Sequence, residues 1–183
     1  MPEETWEEGR FGGRDQDLGG AAGSVAVGLR RTVLPPGKQS FPRHAHMAEE
    51  EIFFVVRGRG TLLRGEESVA VEAGDVAAFP AGTGVAHAFV AHPGEELEYL
   101  SIGERDDNDV VLYPDSGKLL VVGLADESGE RRGTGWAACK RRTTSTASSS
   151  GPRGRSPPVD IGGRWPRLYR VSAPLLTPMQ PTS

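Results

Sequence analysis

The chain has 183 residues, 25% of them charged and 37% hydrophobic, with a formal net charge of −4. That length suits one ordinary domain with a real core, while 25 glycines and 14 prolines predict that part of the chain stays outside it. The small net charge conceals ten Lys/Arg against two acidic residues over 128–183, which leaves −12 on residues 1–127; so acidic a body excludes nucleic acid as a specific partner, because phosphate binding needs clustered cations on the folded surface.

The first segment, 1–23, opens on MPEETWEEGR, which is acidic and has no apolar centre, so it does not read as a signal peptide. The rest of the segment is Gly-rich and polar. Trp6 and Phe11 are its candidate anchors, onto the domain or onto a dimer partner.

Residues 24–123 read as a succession of short strands. Val25–Leu34 is rich in apolar and β-branched residues and ends at Pro35-Pro36-Gly37. Ile52–Val56 is a continuous apolar run stopped by Gly58 and Gly60, and Thr61–Arg64 and Ser68–Val71 flank the polar turn Gly65-Glu66-Glu67 as in a hairpin. Val76–Phe79, Ala86–Val90, Leu97–Ile102, Val110–Leu112 and Leu119–Val122 complete the series. Runs of four to eight residues with regular turn signals predict an all-β sandwich or barrel, and no sustained helical period argues for alternating strands and helices.

Beyond residue 124 the composition changes abruptly. Thr143–Ser150 is low in complexity, and seven prolines between Pro152 and Pro181 interrupt any regular element. Such a sequence cannot bury enough apolar area to offset about 1–2 kcal/mol of backbone entropy per residue, so 124–183 is expected to be a disordered basic tail. The suddenness of the break also fits a shifted reading frame in the gene. The only cysteine, Cys139, lies in this tail, which excludes an intrachain disulfide framework and a thiolate metal site and fits a reducing compartment. No apolar run approaches the ~18–20 residues of a membrane span, and the expected location is cytoplasmic.

The chemistry is concentrated in two segments. In Pro42-Arg43-His44-Ala45-His46, the alternation of an extended chain places His44 and His46 on one face. Glu51 follows five residues later at the head of an apolar strand. The second segment, Gly74 to His87, carries Pro80 and Gly82 and brings His87 to the start of another strand. Three imidazoles and a carboxylate form a donor set suited to one divalent ion among Fe, Mn, Zn, Ni and Co, with positions left for water or substrate. Glu49 and Glu50 adjoin Glu51 and are alternative ligands, although the seven-residue step to Gly58 favours Glu51. His92 precedes Pro93-Gly94 and reads as a loop residue, and Tyr99 and Phe54 read as core or barrel lining. Tyr113, Asp115, Ser116 and Lys118 are candidates for an anion or sugar site, while Pro114-Asp115-Ser116-Gly117 is also a good turn.

His44-x-His46-x4-Glu51-x6-Gly58 resembles the first conserved motif of the cupin superfamily, and Gly74-x5-Pro80-x-Gly82 with His87 resembles the second. The strand pattern extends the resemblance over about residues 24–122. Three departures stand out: six rather than five residues between Gly37 and His44, four rather than two between Gly82 and His87, and Ala91 where the motif has Asn. None removes a ligand, but the longer turn bears on where His87 is held. Phe79–Phe89 (FPAGTGVAHAF) and Tyr113–Lys118 resemble a branch of small single-domain cupins whose members include proteins named as sugar-phosphate isomerases.

The resemblance implies a double-stranded β-helix, or jelly-roll barrel, with one metal held by His44, His46, Glu51 and His87. It implies a small-molecule ligand, a sugar or small organic acid, and isomerase-like chemistry with Tyr113, Asp115 and Lys118 as substrate contacts. An Fe(II) dioxygenase and a non-catalytic metal- or ligand-binding module are the other readings of the same fold. Relatives pair as homodimers, so a homodimer is expected.

Overall fold

The computed structural model describes residues 2–122, together with the backbone of two short strands, Gly135–Ala138 and Leu168–Arg170. The remainder of the expected tail, 124–183, including Cys139, lies outside the described residues. Among the described residues no helix is long and apolar enough to cross a membrane.

The strands in chain order are β1 (Glu4–Glu8), β2 (Phe11–Asp17), β3 (Val27–Leu34), β4 (Ala45–His46), β5 (Glu51–Arg57), β6 (Arg59–Arg64) and β7 (Glu67–Glu72). They continue with β8 (Asp75–Phe79), β9 (His87–Ala91), β10 (Leu97–Glu104), β11 (Val110–Tyr113), β12 (Lys118–Val121), β13 (Gly135–Ala138) and β14 (Leu168–Arg170). A single helical turn, α1 (Leu18–Ala21), separates β2 from β3; the Asp17 carboxylate caps it by accepting from the Gly20 amide at 2.8 Å. The expected all-β class is the observed one.

One layer is a seven-stranded sheet in the order β1-β2-β3-β10-β5-β8-β14. The other layer is built from β7-β6-β9 and β13-β12-β11-β4, joined where the His44 and His87 backbones bridge each other (His87 N to His44 O 2.8 Å, His44 N to His87 O 3.2 Å). All the named pairings within these sheets are antiparallel. Two such faces closing on each other make a jelly roll.

The structure differs from the sequence reading at the N-terminus. Residues 4–17 form two strands that widen the large sheet through Arg14↔Val33 to Asp17↔Arg30. Their composition hides this, because Gly12, Gly13 and six charged residues supply little β propensity. What holds them is tertiary. Trp6 is half-buried against the core, stacks on Phe41 with ring centroids 4.9 Å apart, and donates from Nε1 to the Ser40 carbonyl at 3.3 Å.

The core lies between the layers and includes Leu34, Phe53, Val55, Leu62, Phe79, Phe89, Leu97 and Tyr99. Phe53 is its hub, packing at 5.1 to 5.9 Å against Phe79, Phe89, Tyr99 and the imidazole of His87. Alternation along β5 sends Phe53 and Val55 inward and leaves Ile52 and Val56 exposed. Glu51 has the same parity as Phe53, so the strand that builds the core also aims Glu51 inside the barrel.

Candidate metal centre

His44 and His46 lie on either side of the buried Ala45, and β4 pairs with β11 through His46↔Val111. Each offers a ring nitrogen, and with a Glu51 oxygen these atoms lie within 4.8 Å of one another. His87, 2% exposed, is in contact through Glu51, whose Oε2 is 2.9 Å from its Nε2 and 3.3 Å from His46 Nε2. The imidazole of His44 lies 4.8 Å from that of His87 and 5.2 Å from that of His46, centroid to centroid. The longer turn before His87 therefore leaves it beside the other three, because the reciprocal backbone bridge to His44 fixes its height in the barrel.

Two of the imidazoles have their tautomer set from behind. His44 Nδ1 lies 2.9 Å from the Pro42 carbonyl and His46 Nδ1 lies 2.6 Å from Asp109 Oδ2. A carbonyl and a carboxylate oxygen are acceptors, so each Nδ1 is placed to donate and each Nε2 keeps its lone pair for the interior. Asp109 is fully buried, and its other oxygen accepts from the Met47 and Ala48 amides at 3.0 and 2.9 Å.

A cation fits this set. Glu51 Oε2 and both ring nitrogens of His87 are buried without a hydrogen-bond partner, and an unpaired buried polar group is costly. The close Glu51–imidazole approaches lack hydrogen-bond alignment but suit a shared ion. Electrostatics agree. Burial pushes the Glu51 carboxyl up, yet the three imidazoles outweigh it, His87 foremost, and hold it down at about 2. Burial, reinforced by His87, lowers His44 to about 4, so it is neutral and able to ligate near pH 7.

The other acidic neighbours divide by strand parity. Glu50 is exposed, its amide donating to Glu104 Oε2 at 3.3 Å. Glu49 is turned inward, with Oε1 accepting from the Asp106 amide at 2.8 Å and Oε2 at 3.7 Å from His46 Nδ1; burial raises its carboxyl above the ordinary range. Glu49, His46 and Asp109 thus form a second cluster behind the first.

Tyr113 lies over His44 with ring centroids 5.8 Å apart, and burial raises its phenol. Asp115 is exposed and ion-paired with Arg43, whose Nε donates to Oδ2 at 3.1 Å; Arg43 also donates to the Gly65 carbonyl. Lys118 is exposed at the start of β12, directly across from Tyr113. His92 sits in an exposed turn, where Nδ1 accepts from the Gly94 amide. Tyr99 is buried in the core, and Phe54 is half-buried on β5.

A polar cavity of about 300 Å³ opens beside Glu51, at the small end of the range for small-molecule pockets. Its walls include Glu49, Glu51, Arg30, Ser101, Gly28 and Gly103, with Asp17, Glu104, Arg105 and Asp106 around them. A larger cavity of about 470 Å³, lined by Arg59, Thr61, Val71 and His92 among others, contains none of the clustered histidines or Glu51. The chemistry does not coincide with that larger cavity, and the convergent polar groups favour the smaller one.

Asp109 was not singled out from the sequence. It ends the acidic run Arg105-Asp106-Asp107-Asn108-Asp109, which reads as a solvated turn, and its role depends on a partner 63 positions away.

Residues 30–103 match the Cupin domain family. A candidate sugar phosphate isomerase of known structure from Acidithiobacillus ferrooxidans is 32% identical over 75% of this chain and 83% of its own, with a TM-score of 0.63. A structure from Silicibacter pomeroyi, described as a sugar phosphate isomerase from a cupin superfamily, is 28% identical over 73% and 83%, also at 0.63. A cupin-2 domain protein from Rhodospirillum rubrum, 21% identical over 57% and 70% with a TM-score of 0.50, shares the fold. No curated protein matches the chain.

Proposed function

The chain belongs to the cupin superfamily, and from that premise we propose that it is a metal-dependent isomerase of a small sugar, with His44, His46, Glu51 and His87 holding one divalent ion. The observation that carries the reading is the buried, unpartnered trio of Glu51 Oε2, His87 Nδ1 and His87 Nε2 at the meeting point of three imidazoles. The names given to the two most similar structures above point to the same reaction class.

When bound, the ion would supply Lewis acidity toward a sugar carbonyl or hydroxyl. The chain supplies the rest. Asp109 and the Pro42 carbonyl hold His46 and His44 in the ligating tautomer. Phe79, stacked 4.0 Å from His87, and Phe53 close the floor beneath that ring to water. Glu49 shares the cavity with Glu51 and is the proposed proton carrier between neighbouring sugar carbons, since its Oε2 has no strong donor while Oε1 is held by the Asp106 amide. Tyr113 is the proposed contact to a ligand from the His44 side, with Asp115 and Lys118 on the same hairpin. We further propose a homodimer, supported by the exposed apolar side chains Ile52 and Val56 on the outer face of β5; a monomer in light scattering at micromolar concentration contradicts that part.

The test is metal analysis of protein purified without chelators or nickel resin, beside a His44→Ala/His46→Ala variant. One ion per chain in the wild type and none in the variant is the expected result. Equal, near-zero metal in both overturns the ligand set. Metal-loaded protein is then followed by NMR in D2O for deuterium entering at C1 of the ketose as it forms from an aldose, and failure across aldopentoses and aldohexoses overturns the isomerase reading.

A further inference from the structure

The cavity beside Glu51 has a floor of paired glycines. Gly28 of β3 and Gly103 of β10 face each other across the sheet and both line it. Glycine inside a strand weakens the strand and commonly marks the close approach of a ligand. Neither residue is required by backbone conformation, since neither has a positive φ. Nor does packing demand them. A Cβ on Gly28 would meet nothing closer than Arg105 Nε at 3.5 Å, and one on Gly103 nothing closer than Glu51 Cγ at 3.4 Å. What they preserve is empty space in front of Glu51.

The charges around that space are unbalanced. Five lining side chains are carboxylates and two are arginines. Both guanidiniums are already engaged, Arg30 with Asp15 and Arg105 with both oxygens of Asp17 at 3.1 Å. Even with a divalent ion at Glu51 the cavity carries excess negative charge. A phosphate monoester brings about −1.5 to −2 more, and the chamber offers it no uncommitted cation. A neutral polyol suits it better, because each hydroxyl both donates and accepts. The carboxylates accept from it, while Ser101 and the spare guanidinium N–H groups donate to it.

We propose that this cavity binds a free, unphosphorylated sugar in preference to the sugar phosphate, with Gly28 and Gly103 as the floor on which it lies. The proposal rests on the metal reading above only in placing an ion at the Glu51 end.

The test uses the full chain loaded with one equivalent of Mn2+, whose uptake is measured first by electron paramagnetic resonance. Calorimetric affinities are then compared for D-glucose, D-mannose, D-fructose and D-xylose and for the terminal phosphate of each. At least one free sugar should bind tenfold or more tightly than its own phosphate. Gly28→Val, which suits a strand and projects into the void, should keep Mn2+ uptake and the melting temperature while losing that affinity at least tenfold. Phosphates binding as tightly as the free sugars, no binding by any of the four, or unchanged affinity in Gly28→Val each overturn the proposal. Absent Mn2+ uptake refutes the ligand set instead, and the same comparison on the metal-free chain, where the negative excess is greater, still decides the preference.

Discussion

His46 Nδ1 and Asp109 Oδ2 lie 2.6 Å apart, and the carboxylate that makes this contact is fully buried. Asp109 is held in turn by two amides of the chain that follows His46, Met47 and Ala48. The pair therefore forms a closed unit, in which the residue that orients the imidazole is itself fixed by the backbone the imidazole stands on.

Asp109→Asn tests that unit. The amide oxygen can still accept from Met47 and Ala48, but the amide NH2 would then face His46 Nδ1 and favour the tautomer with its proton on Nε2. The fold should survive while metal affinity falls about 10–100-fold, the usual cost of losing an orienting carboxylate. Competition titration with a chromogenic chelator measures this. Unchanged affinity would mean that His46 is oriented by something else.

The contrast between His46 and Asp109 shows how far the sequence could be read. His44, His46 and Glu51 are legible because the period of two and the step to Gly58 are local properties, and the strands from Val27–Leu34 onward are legible for the same reason. Asp109 and β1–β2 are not. Asp109 matters through a contact across 63 positions, and the N-terminal strands owe their place to Trp6 packing on Phe41 and to pairing with β3. Tertiary context overrode weak propensity in both. The bias of the Glu51 cavity toward carboxylates is equally invisible in sequence, since its walls come from five separate stretches of chain.

Gly58→Ala should destabilise the barrel without touching the site. Gly58 has φ +85°, and a Cβ there would stand 1.9 Å from the Glu96 carbonyl oxygen. Backbone must move to relieve both, and the move disturbs the turn leading into β10, the strand between β3 and β5. A loss of about 2–4 kcal/mol is expected, read as a lower urea midpoint at unchanged slope. A shift under 0.5 kcal/mol would show that the turn relaxes freely.

Stability of the metal-free protein should fall on acidification. His44 drops from an ordinary 6.5 to about 4 and Glu51 from 4.5 to about 2. In both windows the unfolded chain binds the proton more readily than the folded one, so stability rises with pH. It is complete above about 6.5, declines between 6.5 and 4 as His44 is protonated in the unfolded chain, and declines again between 4.5 and 2 through Glu51. The partly exposed rims of both side chains reduce the effect, leaving on the order of 3 kcal/mol in total. Urea unfolding of chelator-treated protein from pH 7.5 to 3.5 measures it. A flat profile above pH 4 would contradict the buried, neutral state of His44.

Glu49→Gln separates proton transfer from metal binding. Gln can still accept from the Asp106 amide through its own carbonyl, and it keeps the size of the side chain, but it cannot carry a proton. If Glu49 is the proton carrier, metal content and KM should stay near the wild-type values while kcat falls about 10²–10⁴-fold, the usual contribution of a placed acid–base group. Glu51→Gln should behave differently, losing the ion first and activity as a consequence, because Glu51 is the carboxylate on which the three imidazoles converge. Metal content measured beside kcat in both variants distinguishes them. Metal loss in Glu49→Gln would assign Glu49 to holding the ion, and an unchanged kcat would remove it from the reaction.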